Sequence, residues 1–346
     1  MKKILPKKSF APWVKKLSGL EVYAPVERDG VWIYEAVENL KELDAAYPNT
    51  VQAPKKIIFP QTETLFEFDT DGEGHPTVTE TLPKKKERVI FGVRPCDARA
   101  ATLTDIVFGG TINDPYYWVR REGTALVGLT CNHPPSSNCF CPSVGGSPHS
   151  TEGLDILMTD LGDRYVVETL TARGEKLVNK AKTLFAEPKE RDRRELATAF
   201  TDSEQRIERS LRDAEKLPAK LKEMFDSPFW DGKALGCIRC GICTYLCPAC
   251  HCFDLSDELT CPAPAKGRRV RTWDTCQFPD FTMHSSGHNP RPDRASRLRQ
   301  RLNHKFQYFV EHHGKFQCTG CGRCISRCPV SIDIIDILEE VHDHES

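Results

Sequence analysis

Two short cysteine runs near the C-terminus constrain this chain more than any other feature. The first run is Cys237-Ile-Arg-Cys240-Gly-Ile-Cys243-Thr-Tyr-Leu-Cys247-Pro248, and the second is Cys318-Thr-Gly-Cys321-Gly-Arg-Cys324-Ile-Ser-Arg-Cys328-Pro329. Both have the spacing C-x2-C-x2-C-x3-C-P. Three closely spaced thiolates can bind one face of an iron–sulfur cubane, and the proline turns the fourth cysteine towards a second cubane. The two runs are therefore expected to fold together around two [4Fe–4S] clusters.

The spacing also assigns each cysteine to a cluster, because in two-cluster ferredoxins the fourth cysteine of one run binds the cluster of the other run. The predicted ligands of the first cluster are Cys237, Cys240, Cys243 and Cys328. The predicted ligands of the second cluster are Cys318, Cys321, Cys324 and Cys247. Two zinc sites are the alternative, but zinc usually takes two separated pairs of ligands, and a repeated run of three cysteines followed by Cys-Pro is not that pattern.

The composition sets wider bounds on function. A chain of 346 residues is long enough for two domains. Its 48 basic and 49 acidic residues nearly cancel, so no bulk field favours nucleic acid or an anionic membrane. The 16 cysteines stand in short groups, which indicates metal ligation rather than disulfides in a chain with no recognisable export signal or membrane span. We therefore expect a reducing cytoplasm, in an anaerobe because exposed clusters are oxygen-sensitive.

A strand–helix–strand pattern in the N-terminal half gathers four more cysteines. Residues 88–93 and 124–130 are continuous apolar runs, typical of strands buried on both faces, and a helical segment joins them. Such strands are parallel neighbours, and open α/β sheets bind ligands at the ends where these strands stop. Structural zinc and free buried thiols are the alternatives to a third [4Fe–4S] cluster at this edge. The predicted ligands of that third cluster are Cys96, Cys131, Cys139 and Cys141.

The segment between the two runs, residues 248–317, is an insertion that a minimal two-cluster ferredoxin lacks. Cys250, Cys252 and Cys276 form a possible further metal site, with His288 or Cys261 as the fourth ligand, because such a set suits zinc or iron–sulfur. The alternative is a shell of thiols that tunes the two clusters through hydrogen bonds and solvent exclusion. Residues 291–301 are strongly basic on a helical pattern, which favours a docking face or a countercharge for anionic clusters over nucleic-acid binding.

The predicted fold class is α+β with three parts. Residues 1–173 form an N-terminal α/β domain with a short parallel sheet, and residues 174–229 form a helical connector. Residues 230–346 form a mainly helical, ferredoxin-like domain with two [4Fe–4S] clusters and the insertion 248–317. Within the first part, residues 55–60 are expected to be extended.

Over roughly residues 20–335, the chain resembles a known family in the order of seven segments: 92–97, Cys131, 139–141, 237–253, 273–278, 287–289 and 318–329. The chain is similar to the iron–sulfur beta subunit of cytoplasmic sulfhydrogenases and to the corresponding iron–sulfur subunit of anaerobic sulfite reductase. This resemblance implies an electron-transfer subunit between a terminal catalytic subunit and a flavin-containing, NAD(P)H-linked subunit. The terminal subunit would be a hydrogenase, a sulfite reductase or a heterodisulfide-reductase-like protein.

The sequence also lacks the usual marks of substrate chemistry. It has no G-x-G-x-x-G motif after a strand, no P-loop and no arguable Ser/His/Asp grouping. We therefore expect electron carriers without a catalytic site. The alternatives are a self-contained iron–sulfur reductase with a substrate site at the Cys96 loop of the N-terminal domain, and a zinc scaffold without enzymatic activity.

Overall fold

The computed structural model describes residues 1–344 and combines strands with helices. Within this range the strands are β1 (Lys2–Pro6), β2 (Glu21–Arg28), β3 (Val31–Ala36), β4 (Thr62–Thr70), β5 (Pro76–Glu80), β6 (Arg88–Val93), β7 (Thr124–Leu129), β8 (Ile156–Asp160), β9 (Arg164–Thr169), β10 (Phe253–Pro262) and β11 (Ala265–Trp273). The α-helices are α1 (Phe10–Lys15), α2 (Lys55–Ile58), α3 (Pro95–Phe108), α4 (Pro115–Glu122), α5 (Ala172–Asn179), α6 (Glu190–Gln205), α7 (Leu217–Glu223), α8 (Phe229–Ala234), α9 (Ile242–Tyr245), α10 (Arg294–Asn303), α11 (Phe309–His313), α12 (Arg323–Ser326) and α13 (Ile334–Asp343). A π-helical turn, His304–Tyr308, joins α10 to α11.

The main sheet has seven strands in the order β1-β9-β8-β7-β6-β2-β3. Its centre is parallel, because β7 pairs with β6 and β8 and β6 pairs with β2, whereas the outer pairs are antiparallel. β6 and β7 are buried along nearly their whole length, since helices cover both faces of the sheet. α1 and α5 pack on one face, and α3 and α4 pack on the other. The predicted parallel pairing of the two apolar runs is confirmed.

The two central strands end side by side, and Arg94 holds these ends together. β6 leads directly into α3, so Arg94 lies at the junction. Its guanidinium donates to Thr130 O at 3.2 Å, just after β7, and to Tyr47 O at 2.6 Å. The same guanidinium stacks on the Tyr47 ring, 3.9 Å from the ring centre. Cys96 and Cys131, which follow the two strands, are therefore brought to one edge of the sheet.

A second, antiparallel sheet with the order β10-β11-β4-β5 joins distant parts of the chain. β10 and β11 form a hairpin inside the insertion, and Arg271 of β11 pairs with Glu63 of β4, 208 positions earlier. The hairpin is rich in cross-strand ion pairs, such as Asp257 with Arg269 at 2.7 Å. Charged residues interrupt the apolar alternation that identifies strands in a sequence, as Asp257 does between Leu255 and Leu259 of β10. The prediction of a mainly helical C-terminal domain therefore missed these two strands.

The extended conformation predicted for residues 55–60 is wrong, because residues 55–58 form the short helix α2. Pro54 precedes this helix with a φ of −64°, the value to which the proline ring restricts it, and this value is compatible with a helical start. The helix begins at Lys55, whose side chain reaches the first cysteine run.

The C-terminal part has a helical core, and each cysteine run includes one short helix. Helices α7, α8, α10 and α13 share the core residues Leu217, Leu221, Trp230, Leu302 and Leu338. α9 contains Cys243 of the first run and α12 contains Cys324 of the second run. Each helix begins after a glycine in the left-handed region, Gly241 with φ 74° and Gly322 with φ 72°. The two runs thus share one local backbone conformation, and α9 packs against α12.

Candidate metal centres

The predicted ligands of the first cluster line a single cavity. Four cysteines contributed by both runs face it: Cys237, Cys240, Cys243 and Cys328. Cys324, Gln277 and Arg301 line the same cavity. Among the four predicted ligands, Cys240 is the exposed one, so the cavity lies at the protein surface.

The predicted ligands of the second cluster lie deeper. Cys318 and Cys321 are buried, and Cys247 and Cys324 are partly so. Burial raises the pKa of Cys318 to about 11 and the pKa of Cys324 to about 12, and neighbouring thiols of the same set add to the rise. Thiols with such pKa values stay protonated at neutral pH unless a metal stabilises the thiolate. Cys247 is the exception in this set, because its hydrogen bond with the Cys250 thiol and the nearby Lys305 hold its pKa well below the ordinary value.

The four cysteines of the predicted third site also share one cavity, at the edge of the main sheet. Its lining includes Cys96, Cys131, Cys139 and Cys141. Burial raises the pKa of Cys139 to about 12 and also raises the pKa of Cys96 well above its ordinary value. Cys321 of the second run lines this cavity too, so the second and third sets are direct neighbours.

The loop that carries Cys139 and Cys141 packs backbone to backbone against the second run. Phe140 N donates to Gly320 O at 2.9 Å. Gly320 has a φ of 66°, and a Cβ added there would lie 2.5 Å from Cys141 Cα. A Cβ added at Gly322 would lie 2.6 Å from Asn138 O. Glycine at both positions is therefore required for this approach.

A buried ion pair bridges the second and third sites. Arg323 Nη1 and Nη2 donate to the Asp97 carboxylate at 2.6 and 2.8 Å, and Arg323 Nε donates to Thr50 O at 2.8 Å. Arg323 is 3% exposed and Asp97 is 4% exposed. Since Asp97 follows Cys96 and Arg323 lies between Cys321 and Cys324, the pair links the two sets of cysteines and adds no net charge between them.

Three basic side chains from separate elements converge on residues 247–250. Lys55 Nζ donates to Cys247 O at 3.1 Å and to Cys250 O at 2.7 Å. Lys305 Nζ donates to Cys247 Sγ at 3.3 Å, and Arg301 Nη1 donates to Cys250 Sγ at 3.7 Å. Arg301 belongs to the basic segment for which a countercharge was one interpretation. Lys55 and Lys305 were missed, because single lysines carry no sequence signal for such a position.

Of the further cysteines of the insertion, Cys250, Cys252 and Cys276 lie next to the two runs. The contact with Cys276 and burial raise the pKa of Cys252, and Gln277 Nε2 donates to Cys276 Sγ at 3.4 Å. Cys250 has Cys247 as its thiol neighbour. His288 is exposed, with its ring 5.3 Å from that of His284, and within residues 1–344 it forms no hydrogen bond with a cysteine. Cys261 lies near the tip of the β10–β11 hairpin, where its thiol donates to Ala263 O.

The donor sets suit a polynuclear group better than a single ion. In the described part of the chain, no three Cys, His, Asp or Glu side chains surround a point where one metal ion would fit. Arg301 Nη2 is buried without a partner in the wall of the first cavity. A cluster with sulfide acceptors would supply that partner.

Comparison with known proteins finds a match for the region of the two runs and one for nearly the whole chain. Residues 236–332, which include both runs, match the model of the 4Fe-4S dicluster domain. The chain is 31% identical over 328 residues to the sulfhydrogenase 2 subunit beta of Pyrococcus furiosus, covering 93% of this chain and 92% of that protein. No solved structure matches the chain. Within residues 1–344, no helix has the length and apolar character needed to cross a bilayer.

The fold and its cysteine sites thus define an iron–sulfur electron-transfer protein that works as part of an oxidoreductase. The cluster type is [4Fe–4S], as the dicluster domain indicates. At the level of identity and coverage found, the chain belongs to the family of sulfhydrogenase beta subunits.

Proposed function

We propose that this chain carries single electrons between a terminal redox subunit and a flavin-containing, NAD(P)H-linked subunit. The terminal subunit would be a hydrogenase, a sulfite reductase or a heterodisulfide-reductase-like protein. The observation that carries the proposal is the first cavity, where cysteines from two distant runs face one another as cluster ligands would. The Pyrococcus furiosus relative is a subunit of a sulfhydrogenase, which supports a multisubunit setting. The proposed location is the reducing cytoplasm, which suits 16 free cysteines.

In this proposal three clusters lie in series, each held by one of the cysteine sets described above. Bound clusters supply the one-electron carriers. The chain supplies thiolate ligands, excludes water from the second and third sets by burial, and keeps neighbouring sets in contact. Two cysteines of the second set also line the neighbouring cavities. Cys321 lines the third cavity, and Cys324 lines the first cavity. The proposed order is therefore third, second and first.

The surface around Cys240 is the proposed contact with one redox partner. Cys240 is exposed, and the neighbouring apolar side chains Leu235 and Ile238 are 75% and 59% exposed. Apolar side chains at this level of exposure next to a redox centre favour a protein contact. An Ile238→Glu substitution should weaken electron transfer to or from a partner while leaving the iron content unchanged. Unchanged transfer rates would argue against a contact here.

Anaerobic counting of iron and sulfide tests the cluster proposal most directly. Three clusters require about twelve irons per chain, and the two runs alone require about eight. A folded preparation with zinc and without iron or sulfide would refute the proposal in favour of a scaffold.

Substitution of single ligands tests the electron path. Cys240→Ser and Cys321→Ser should each abolish electron flow through the complex while the half-reactions of the partner subunits continue. Cys261→Ser is the matched control, because this thiol lies near a hairpin tip and outside the proposed sets. Equal losses in all three variants would indicate misfolding rather than a broken path.

A metal at Cys250, Cys252 and Cys276 is a separate proposal, with His288 as the fourth ligand suggested by the sequence. The thiol contacts within the group support it, and the exposed position of His288 does not. If the group binds a metal, Cys276→Ser will lower the total metal content below that of the wild type. An unchanged content would leave these thiols as a packing shell around the clusters.

A self-contained reductase with a substrate site at the Cys96 loop is the alternative function. The lining of the cavity at that loop includes the four cysteines of the third set. In the present proposal a cluster occupies this cavity, so a substrate does not. A surface groove between α1 and strands β2 and β3 contains no cysteine or histidine in its lining. Turnover of a small molecule by the isolated chain with a chemical reductant would favour the alternative.

A further inference from the structure

Two buried cations beside the second cluster site have no carboxylate partner. Arg301 is 3% exposed and Lys305 is 2% exposed. Within residues 1–344 neither side chain forms an ion pair with Asp or Glu; their polar contacts are sulfur atoms and a backbone carbonyl. An uncompensated buried charge is strongly unfavourable, so buried charges are paired or bind a metal centre. The compensation must therefore come from a negatively charged group at this position.

The backbone around Lys305 is shaped to hold that side chain in place. Lys305 lies in the π-helical turn between α10 and α11, a rare conformation that is frequent at functional sites. The turn lets Lys305 O accept from Gln317 N at 3.0 Å, while Lys305 Nζ donates to Gln317 O at 3.3 Å. Because Gln317 precedes Cys318, the ammonium is held beside the second run while it also donates to Cys247 Sγ of the first run.

The third site lacks a comparable excess of positive charge on the side that faces the second site. There Arg323 is neutralised by the bidentate contact with Asp97. Arg301, in contrast, has one Nη atom on Cys250 and the other without a partner in the wall of the first cavity. Around Cys247, two buried cations thus lack a carboxylate partner among residues 1–344. Beside the third set Arg94 is such a cation too, 1% exposed and bonded to the carbonyls of Thr130 and Tyr47.

We propose that Arg301 and Lys305 are potential-setting residues. Lys305 stabilises the reduced form of the cluster held by Cys247, Cys318, Cys321 and Cys324. Arg301, between Cys250 and the first cavity, adds positive charge to this cluster and to the first one, so the cluster that both cations face is the first centre to be reduced. This inference rests on the proposed function. Reduction adds one negative charge, supplied as a single electron by the donor subunit, and no bond forms or breaks. By Coulomb's law, a unit charge within about 8 Å at an effective dielectric constant of about 20 changes a one-electron equilibrium by more than tenfold.

A redox titration of the anaerobic holoprotein, followed by EPR, tests the inference with three variants. Lys305→Met removes the charge and keeps the length of the side chain, Lys305→Arg keeps the charge, and Arg301→Gln is the second neutral variant. Lys222→Met is the matched control, because this lysine side chain is 73% exposed. Iron and sulfide are counted in every preparation before titration.

Lys305→Met and Arg301→Gln should each lower the potential of the first reduction step by at least 59 mV, the value for a tenfold change in a one-electron couple. Lys305→Arg and Lys222→Met should leave it within a few millivolts of the wild type. Equal potentials in Lys305→Met and Lys222→Met at full iron content would overturn the inference, as would a shift confined to a later step. Loss of iron in both neutral variants would replace it with a purely structural role. A wild-type protein without iron would instead refute the proposed function.

Discussion

The buried pair of Asp97 and Arg323 allows a stability prediction that the structure makes quantitative. In the wild type the guanidinium has four hydrogen bonds, two to the carboxylate and two to Thr50. Asp97→Asn removes the negative charge, and its amide oxygen can replace only one of the two carboxylate acceptors. Breaking a buried pair on one side costs about 3–5 kcal/mol, and the remaining acceptor favours the lower end, about 3 kcal/mol.

The assay is urea unfolding of the anaerobic holoprotein, followed by tryptophan fluorescence. With a slope of about 3 kcal/mol per molar urea, a loss of about 3 kcal/mol moves the midpoint by about 1 M. The double variant Asp97→Leu with Arg323→Met should recover most of the loss, because an apolar pair of similar volume often replaces a buried ion pair without cost.

Glu35→Gln provides the control, since the pair of Glu35 and Arg28 lies at the surface, with side chains 35% and 63% exposed. Pairs of this kind contribute little, so the midpoint should not move measurably. The reasoning is refuted if Asp97→Asn behaves like Glu35→Gln, or if the double variant is as unstable as the single one.

Three other substitutions test separate parts of the structure. Cys139→Ser should reduce the iron content from about twelve to about eight per chain, because only the third set loses a ligand; a fall below eight would show that the sets are not independent. Gly320→Ala should lower the urea midpoint clearly, because its Cβ would lie 2.5 Å from Cys141 Cα and position 320 has a φ of 66°. An unchanged midpoint would contradict the tight backbone contact. Burial and the neighbouring cations lower the pKa of His304 to about 3, so the unfolded chain binds a proton there below about pH 6.5 while the folded chain does not. Folding stability is therefore lost as the pH falls from about 6.5 towards 3, by about 1–2 kcal/mol at about pH 5, and His304→Leu should flatten this part of the pH profile measured by urea unfolding.

The parts of the fold that the sequence predicted are those in which local pattern and environment agree. β6 and β7 are continuous apolar runs because helices bury both of their faces, so their parallel pairing followed from the pattern alone. The edge at which Cys96 and Cys131 meet followed from the same topology. Whether the three cysteine sets bind clusters stays a prediction that iron counting must test.

Other parts of the fold and of the site could not be predicted from the sequence, because contacts between distant residues create them. β11 is a strand since β4 and β10 flank it, and its arginines gain partners only in the assembled sheet. Lys305 becomes significant only when the π-helical turn directs it towards Cys247. No local periodicity contains that information, whereas the basic segment 291–301 at least signalled positive charge near the clusters.

The pairing of β11 with β4 has a consequence for how this chain is made. During synthesis β4 and β5 leave the ribosome long before their partner, because Glu63 and Arg271 are 208 positions apart. Until then one edge of β4 offers unpaired backbone groups to any passing strand, which is a risk for aggregation. Expression of residues 1–173 without the rest should therefore yield an aggregating product. Shortened versions of this protein should keep β4 and β11 in one polypeptide.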